Sequence, residues 1–182
     1  MSRVTTLPRG RALTRHDLDA MPDDGHRYEL IDGALIVTPA PSWRHQAVSA
    51  GLFLVLTRAC PTDLRVLYAP VDVALADDTV MQPDLLFARR TDFGELDLPT
   101  APLVAAEVLS PSTRRIDLTL KRSRFEEAGC RSYWVVDPEE PSLTAWQLVH
   151  GTYVRVADVS GDEEFAATEP YEVLVVPSML LG

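Results

Sequence analysis

Runs of apolar and polar residues divide the chain into short elements, most with the two-residue period of strands. Thr14 to Ala20 predicts a short helix, with Thr14 and Asp17 in a capping-box arrangement and Pro22 stopping it. Arg27 to Ile31 and Ala34 to Thr38 are β-prone runs on either side of Asp32-Gly33, which predicts a tight hairpin. Ser42 can cap a helix from Trp43 to about Arg58 that ends before Cys60-Pro61. Its second half, Gly51 to Leu56, is apolar nearly all round and predicts burial, while its first half keeps Arg44, His45, Gln46 and Ser49.

Strands are then expected at Arg65 to Tyr68, Val71 to Leu75, Pro83 to Ala88 and Leu103 to Leu109, with a turn at Asp77-Asp78 and a polar loop from Arg89 to Pro102. Ser110 to Thr113 caps a helix that runs from Arg114 to Gly129, although its apolar residues do not line one face cleanly. Further strands are expected at Ser132 to Asp137, Leu143 to Val149 and Tyr153 to Val156. An irregular acidic stretch then covers Asp158 to Glu169, and a last strand Tyr171 to Val176. The order predicts an α/β or α+β fold with a mixed sheet flanked by helices and an N-terminal β-hairpin. At 182 residues one domain is expected, with its core over about 14–156 and an acidic extension over 158–182.

Within this pattern three residues stand out. Asp84 opens one apolar strand, Glu107 sits inside Val104 to Leu109, and Lys121 follows Asp117 by four residues on the next helix. A carboxylate in an apolar run is costly to bury unless cations or hydrogen bonds compensate it. Two acids on neighbouring strands suit a hard cation such as Mg²⁺, which is held by one or two carboxylates together with water and substrate phosphate. Such a cation and a nearby lysine suit phosphodiester hydrolysis. Each residue also has an ordinary structural role open to it. Asp84 could be a polar strand end, Glu107 could pair with an arginine, and Lys121 could be a solvated partner of Asp117.

Charge adds a qualification. The net charge of −10 disfavours nucleic acid as a partner, but nine acids against one base fall in residues 137–182. Arg114, Arg115, Arg122 and Arg124 cluster with Lys121 around the single acid Asp117, either as a phosphate-binding patch or as a solvated helix face. Cys60 and Cys130 stand far apart with no CxxC spacing, so reduced thiols in a cytoplasmic protein are expected, and structural zinc is not. Met1 to Gly10 lacks the apolar core of a secretory signal, and no apolar run reaches the ~20 residues of a membrane span. Neither a G-x-S-x-G elbow nor a phosphate-cradling glycine loop is present.

Taken together, Tyr28 to Gly33, His45, Pro83-Asp84, Glu107 to Thr113, Asp117, Lys121 and Tyr133 to Pro138 form a string that resembles the Uma-two family. These are restriction-endonuclease-like proteins of the PD-(D/E)-x-K nuclease superfamily. The resemblance implies a Mg²⁺-dependent endonuclease acting on DNA, with Mn²⁺ as a possible substitute and a possible homodimer. Asp84 and Glu107 would hold the metal, and Arg114, Arg115, Arg122 and Arg124 would hold phosphates. Where the superfamily has a lysine two residues after the second acid, this chain has Leu109. Lys121 is expected to take that place from the helix, with Glu29 orienting it or contributing to a second metal and His45 contacting phosphate or assisting proton transfer. The alternative is a nuclease-fold module without catalysis that binds nucleic acid or protein.

Overall fold

A computed structural model describes residues 10–182 of the chain. The expectation for Met1 to Gly10 therefore falls almost wholly outside the described residues. A short helix α1 (Arg15–Asp19) carries the expected capping box and leads into the hairpin of β1 (Arg27–Ile31) and β2 (Ala34–Thr38). Asp32 and Gly33 turn the hairpin with φ of 53° and 72°, the left-handed values that a two-residue turn of this kind requires. Helix α2 (Trp43–Ala59) follows, its first turn capped by the Ser42 hydroxyl, which accepts from the His45 backbone N–H.

Next come β3 (Leu64–Tyr68), β4 (Val73–Ala76), β5 (Thr79–Met81), β6 (Leu85–Arg89) and β7 (Val104–Val108). After β7 the chain forms α3 (Arg114–Ile116), a π-helical turn (Asp117–Lys121) and α4 (Arg122–Glu127). It closes with β8 (Ser132–Asp137), β9 (Ser142–Val149), β10 (Thr152–Ser160), β11 (Phe165–Ala167) and β12 (Val173–Val175).

The main sheet has the order β10-β9-β8-β7-β6-β3 and is mixed as expected, with β7 and β8 parallel and the other neighbours antiparallel. The helical segment α3 to α4 lies in the connection between the two parallel strands, which cannot be joined by a tight turn. A second sheet, β2-β1-β5-β4, holds the hairpin, and β11 and β12 pair separately. Side chains alternate between two apolar clusters along the central strands. Leu85, Phe87, Val104, Ala106 and Trp134 belong to the cluster that includes Leu52 and Leu56 of α2. Leu86, Ala88, Ala105, Tyr133 and Val135 belong to the cluster that includes Phe125 of α4 and Ile31 of β1. Asp84 and Glu107 are in phase with this second set.

Several expectations need correction. Helix α2 is not buried all round: it turns Val48, Leu52 and Leu56 inward, whereas Leu54 is exposed. The predicted continuous helix from Arg114 to Gly129 is interrupted by the π turn. Strand β5, unforeseen in the sequence, makes Asp77-Asp78 a hairpin turn from β4. The polar loop after β6 contains a 3-10 turn at Arg90–Asp92, and its Leu98 is buried and bridges Val73. The stretch expected to be irregular after Asp158 continues β10 and forms β11. Phe165, Tyr171, Val175 and Leu180 from the C-terminal segment pack into the same cluster as α2. Much of the apolar run 173–181 is thus spent within its own chain. Both cysteines are free thiols, with Cys130 buried and Cys60 only partly so. Among the described residues no helix is long and apolar enough to cross a membrane.

Candidate active site

Asp84 immediately precedes β6 and Glu107 lies in β7, adjacent antiparallel strands whose register pairs Leu85 with Ala106. The backbone N–H of Asp84 donates to Glu107 Oε2 at 3.3 Å, and that of Val108 donates to Asp84 Oδ2 at 2.9 Å. The two strands thus hold each other's acids, which places both carboxylates on one face of the sheet, where β6 begins and β7 ends.

Lys121 reaches this face from the π-helical turn. Its Nζ lies 2.9 Å from Glu29 Oε1, 3.2 Å from Glu107 Oε1 and 3.8 Å from Asp117 Oδ1, and its side chain is only 2% exposed. Turns of this kind recur inside α-helices at functional sites because they displace side chains from the regular helical phase. Tyr133 of β8 anchors the turn by donating its hydroxyl to the Asp117 carbonyl at 2.8 Å. Glu29 is fixed in turn by the Gln82 backbone N–H, which donates to its Oε1 at 2.7 Å. At the position two residues after Glu107, Leu109 is buried in the apolar cluster that includes Phe125, and its backbone N–H donates to the Val136 carbonyl.

On the other side of Asp84 are two nitrogen donors. His45 Nε2 lies 3.1 Å from Asp84 Oδ2, and Arg27 Nη1 donates to Asp84 Oδ1 at 3.1 Å and to the Gln82 carbonyl at 3.3 Å. The sequence reading named His45 but missed Arg27. A signal was available, since Arg27 and Glu29 are two apart on one strand and share a face. Asp117 appeared there only as a partner for Lys121, whereas it is itself buried in the cluster.

The electrostatics follow from burial and crowding. Burial pushes the Glu107 carboxyl well above the ordinary range. Lys121 opposes that shift, and Asp117, Asp84 and Glu29 add to it. Burial likewise lifts Asp117 to about 6 against the pull of Lys121. Burial would raise Asp84 too, but the His45 hydrogen bond and the charges of His45, Arg27 and Lys121 hold it below its usual value. For Lys121 burial favours the neutral amine and is outweighed by Glu107, Glu29, Asp117 and Asp84, so its pKa is raised and it stays an ammonium.

Four buried carboxylates, Glu29, Asp84, Glu107 and Asp117, therefore face two permanent cations, Arg27 and Lys121, together with His45. Asp117 Oδ1 is buried without a hydrogen-bond partner. More buried acids than permanent cations, with one oxygen that has Lys121 Nζ at 3.8 Å but no hydrogen bond, fit a hard divalent cation. Among the described residues no three His, Cys, Asp or Glu side chains form a ready metal cage, but Mg²⁺ requires only one or two carboxylates and fills its remaining positions with water and phosphate.

The candidate phosphate-binding arginines do not act as one patch. Arg114 pairs with Asp137, Arg124 with Asp32 and Glu127, and the Arg122 guanidinium lies over the Trp146 ring at 5.0 Å. Arg115 is exposed, and among the described residues no acid pairs with it. A pocket of about 900 Å³ opens against the site. Arg27, His45, Gln82 and Asp84 are among its walls and Glu29, Glu107 and Lys121 are not, so Asp84 is the carboxylate of the cluster that meets the pocket.

Comparison with known proteins gives the family and the fold. The model of the Uma2 (Uma-two) family, described as "Putative restriction endonuclease", matches residues 15–176. Among solved structures, one described as "a putative nuclease belonging to DUF820" from Anabaena variabilis ATCC 29413 superposes with a TM-score of 0.73. It covers 93% of this chain and 97% of its own at 16% identity, a likeness of fold. No curated protein matches the chain.

Proposed function

This chain belongs to the Uma2 family, and from that premise we propose that it is a metal-dependent endonuclease that hydrolyses phosphodiester bonds in DNA. The observation that carries the reading is the arrangement of Asp84, Glu107 and Lys121. Two acids are bonded into neighbouring strands, and a lysine from the following helical turn reaches the second acid at 3.2 Å. The family description and the nuclease named as a fold neighbour support the same class of chemistry.

In this reading Asp84 and Glu107 hold Mg²⁺, or Mn²⁺ in its place. The bound ion would polarise a phosphate oxygen and lower the pKa of a water. Lys121, kept charged by the acids around it, is a hydrogen-bond donor rather than a proton acceptor, so it orients Glu107 and stabilises negative charge. Glu29 positions Lys121. Arg27 and His45 fix Asp84 and offer nitrogen donors to a phosphate arriving through the pocket. Arg115, exposed and without an acid partner among the described residues, is the residue of the basic cluster left free for a phosphate.

Purified protein should nick plasmid DNA in the presence of Mg²⁺, and Asp84→Ala and Glu107→Ala should each abolish the activity. Nicking that survives both substitutions would sink the proposal. One observation favours a second reading, a nuclease-fold module that binds without cutting: Lys121 is sequestered behind three acids and does not line the pocket. Titration with Mn²⁺ separates the two, since no binding at millimolar concentration would favour the module.

A further inference from the structure

The pocket beside Asp84 has features that holding a metal does not require. It lies between the β1/β2 hairpin, α2 and the segment after β3, and its volume of about 900 Å³ falls within the range of small-ligand sites. Phe53 of α2 and Tyr68 at the end of β3 line one side, packed edge to face with ring centroids 5.0 Å apart. Tyr68 is 60% exposed. Two polar atoms in the pocket residues, Thr38 Oγ1 and Gln82 Oε1, are buried without a partner. The Gln82 amide is oriented by its other end, where Nε2 donates to Asp72 Oδ1 at 2.7 Å, which leaves Oε1 as a fixed acceptor. Leaving such atoms unpaired is costly, a cost relieved when side chains shift to let a ligand supply the partner.

Aromatic surface, a fixed acceptor, a hydroxyl and the nitrogen donors Arg27 and His45 beside a carboxylate make up the set that a nucleotide needs. A base stacked on the rings would present N–H groups to the acceptor, and its phosphate would meet the guanidinium and imidazole. Asp84 is only 5% exposed. A carboxylate recessed in this way is more open to a single flexible nucleotide entering the pocket than to the phosphates along an intact duplex. The exposed acids of the lining, Asp19 and Asp23, further disfavour the dense charge of a duplex at this mouth.

We propose that this pocket is a subsite for one unpaired nucleotide, so that the substrate is single-stranded nucleic acid or a duplex position from which a base has been extruded. The assignment rests on the nuclease reading and narrows it to a substrate class. It is tested by equilibrium binding, in EDTA and in Ca²⁺, of a short single-stranded oligodeoxynucleotide carrying a fluorescent aminopurine. The same strand with an abasic position and its intact duplex are measured beside it.

The intact single strand should bind at least about fivefold more tightly than the abasic strand, as stacking of one base on an aromatic side chain requires. Its fluorescence should change on binding. Tyr68→Ala should abolish the difference while leaving affinity for the abasic strand unchanged. Thr38→Val should weaken binding of the intact strand alone, and circular dichroism checks that both variants fold. Equal affinity for intact and abasic strands, or a preference for the duplex, would overturn the subsite while plasmid nicking still stood. A protein that binds none of the three and nicks no plasmid would overturn the nuclease reading along with it.

Discussion

Replacing Lys121 with methionine keeps most of the side-chain volume and removes its charge. In the folded protein Lys121 Nζ lies within 4 Å of Glu29, Glu107 and Asp117, each no more than 2% exposed. At an effective dielectric of 20, one ion pair at 4 Å is worth about 4 kcal/mol before desolvation is subtracted. Removing one partner of a buried pair costs about 3–5 kcal/mol, because the remaining charge is left uncompensated. Three acids share this lysine, so Lys121→Met is expected near the upper end of that range. At about 2–4 °C per kcal/mol for a chain of this size, Tm should fall by about 10–20 °C. Urea denaturation at neutral pH, followed by tryptophan fluorescence, gives the free energy directly. Glu29→Gln in the Lys121→Met background should recover part of the loss, since one of the stranded charges is then gone, and the double-mutant cycle should show coupling above about 1 kcal/mol. A loss below about 1 kcal/mol, or strict additivity of the two substitutions, would mean that the lysine does not balance these acids in solution.

Two further outcomes follow from elements outside the cluster. Asp137 pairs with Arg114 and accepts the backbone N–H groups of Glu139 and Glu140, and these bonds outweigh burial to hold its pKa below the usual value. Its contribution is therefore present above pH ~4 and lost as the pH falls through the lower folded value, so Asp137→Asn should cost about 1 kcal/mol at pH 7 and nothing in strong acid. Parallel pH–stability curves for the two proteins would refute this. Gly51→Ala would set a Cβ 2.1 Å from the Leu180 carbonyl oxygen, an overlap with backbone that should cost at least about 1–3 kcal/mol in thermal melts. An unchanged Tm would show that the C-terminal turn does not pack against α2 as described.

The acids of the site could be read from the sequence because their signal is local. Asp84 and Glu107 each interrupt an apolar strand, and a carboxylate in such a run needs a compensating partner wherever the strand goes. Lys121 could be read in part. Its spacing from Asp117 put the two on one stripe, but the direction of that stripe depends on how the helix packs, and the π turn decides this. The uneven apolar face of Ile116, Leu118 and Leu120 was the visible trace of that turn. Arg27, Thr38, Gln82 and Tyr68 were not recognised as neighbours because they come together only when the hairpin, α2 and the β3–β6 segment meet. Strand β5 is three residues long, too short for a period-two pattern to emerge. The acids of Asp162 to Glu164 concealed the return of the chain to β11, which pairs with the nearby β12 but is held in place by packing into the cluster that includes Leu52 and Leu56 of α2.

The π turn also makes this region more sensitive to chain length than to composition. A single deletion within 117–121 could leave an unbroken α-helix with nearly the same charge and hydrophobicity, more regular than the present segment. Each residue advances an α-helix by about 100°, so the side chains beyond the deletion would swing by roughly that angle relative to those before it. Lys121 would leave Glu107 and Glu29, or Phe125 would leave Tyr133, against which its ring now packs at 5.7 Å. Substitutions here can be compensated one at a time, but a change in residue count cannot. The phase of the helix, as much as the identity of its lysine, keeps the ammonium beside its acids.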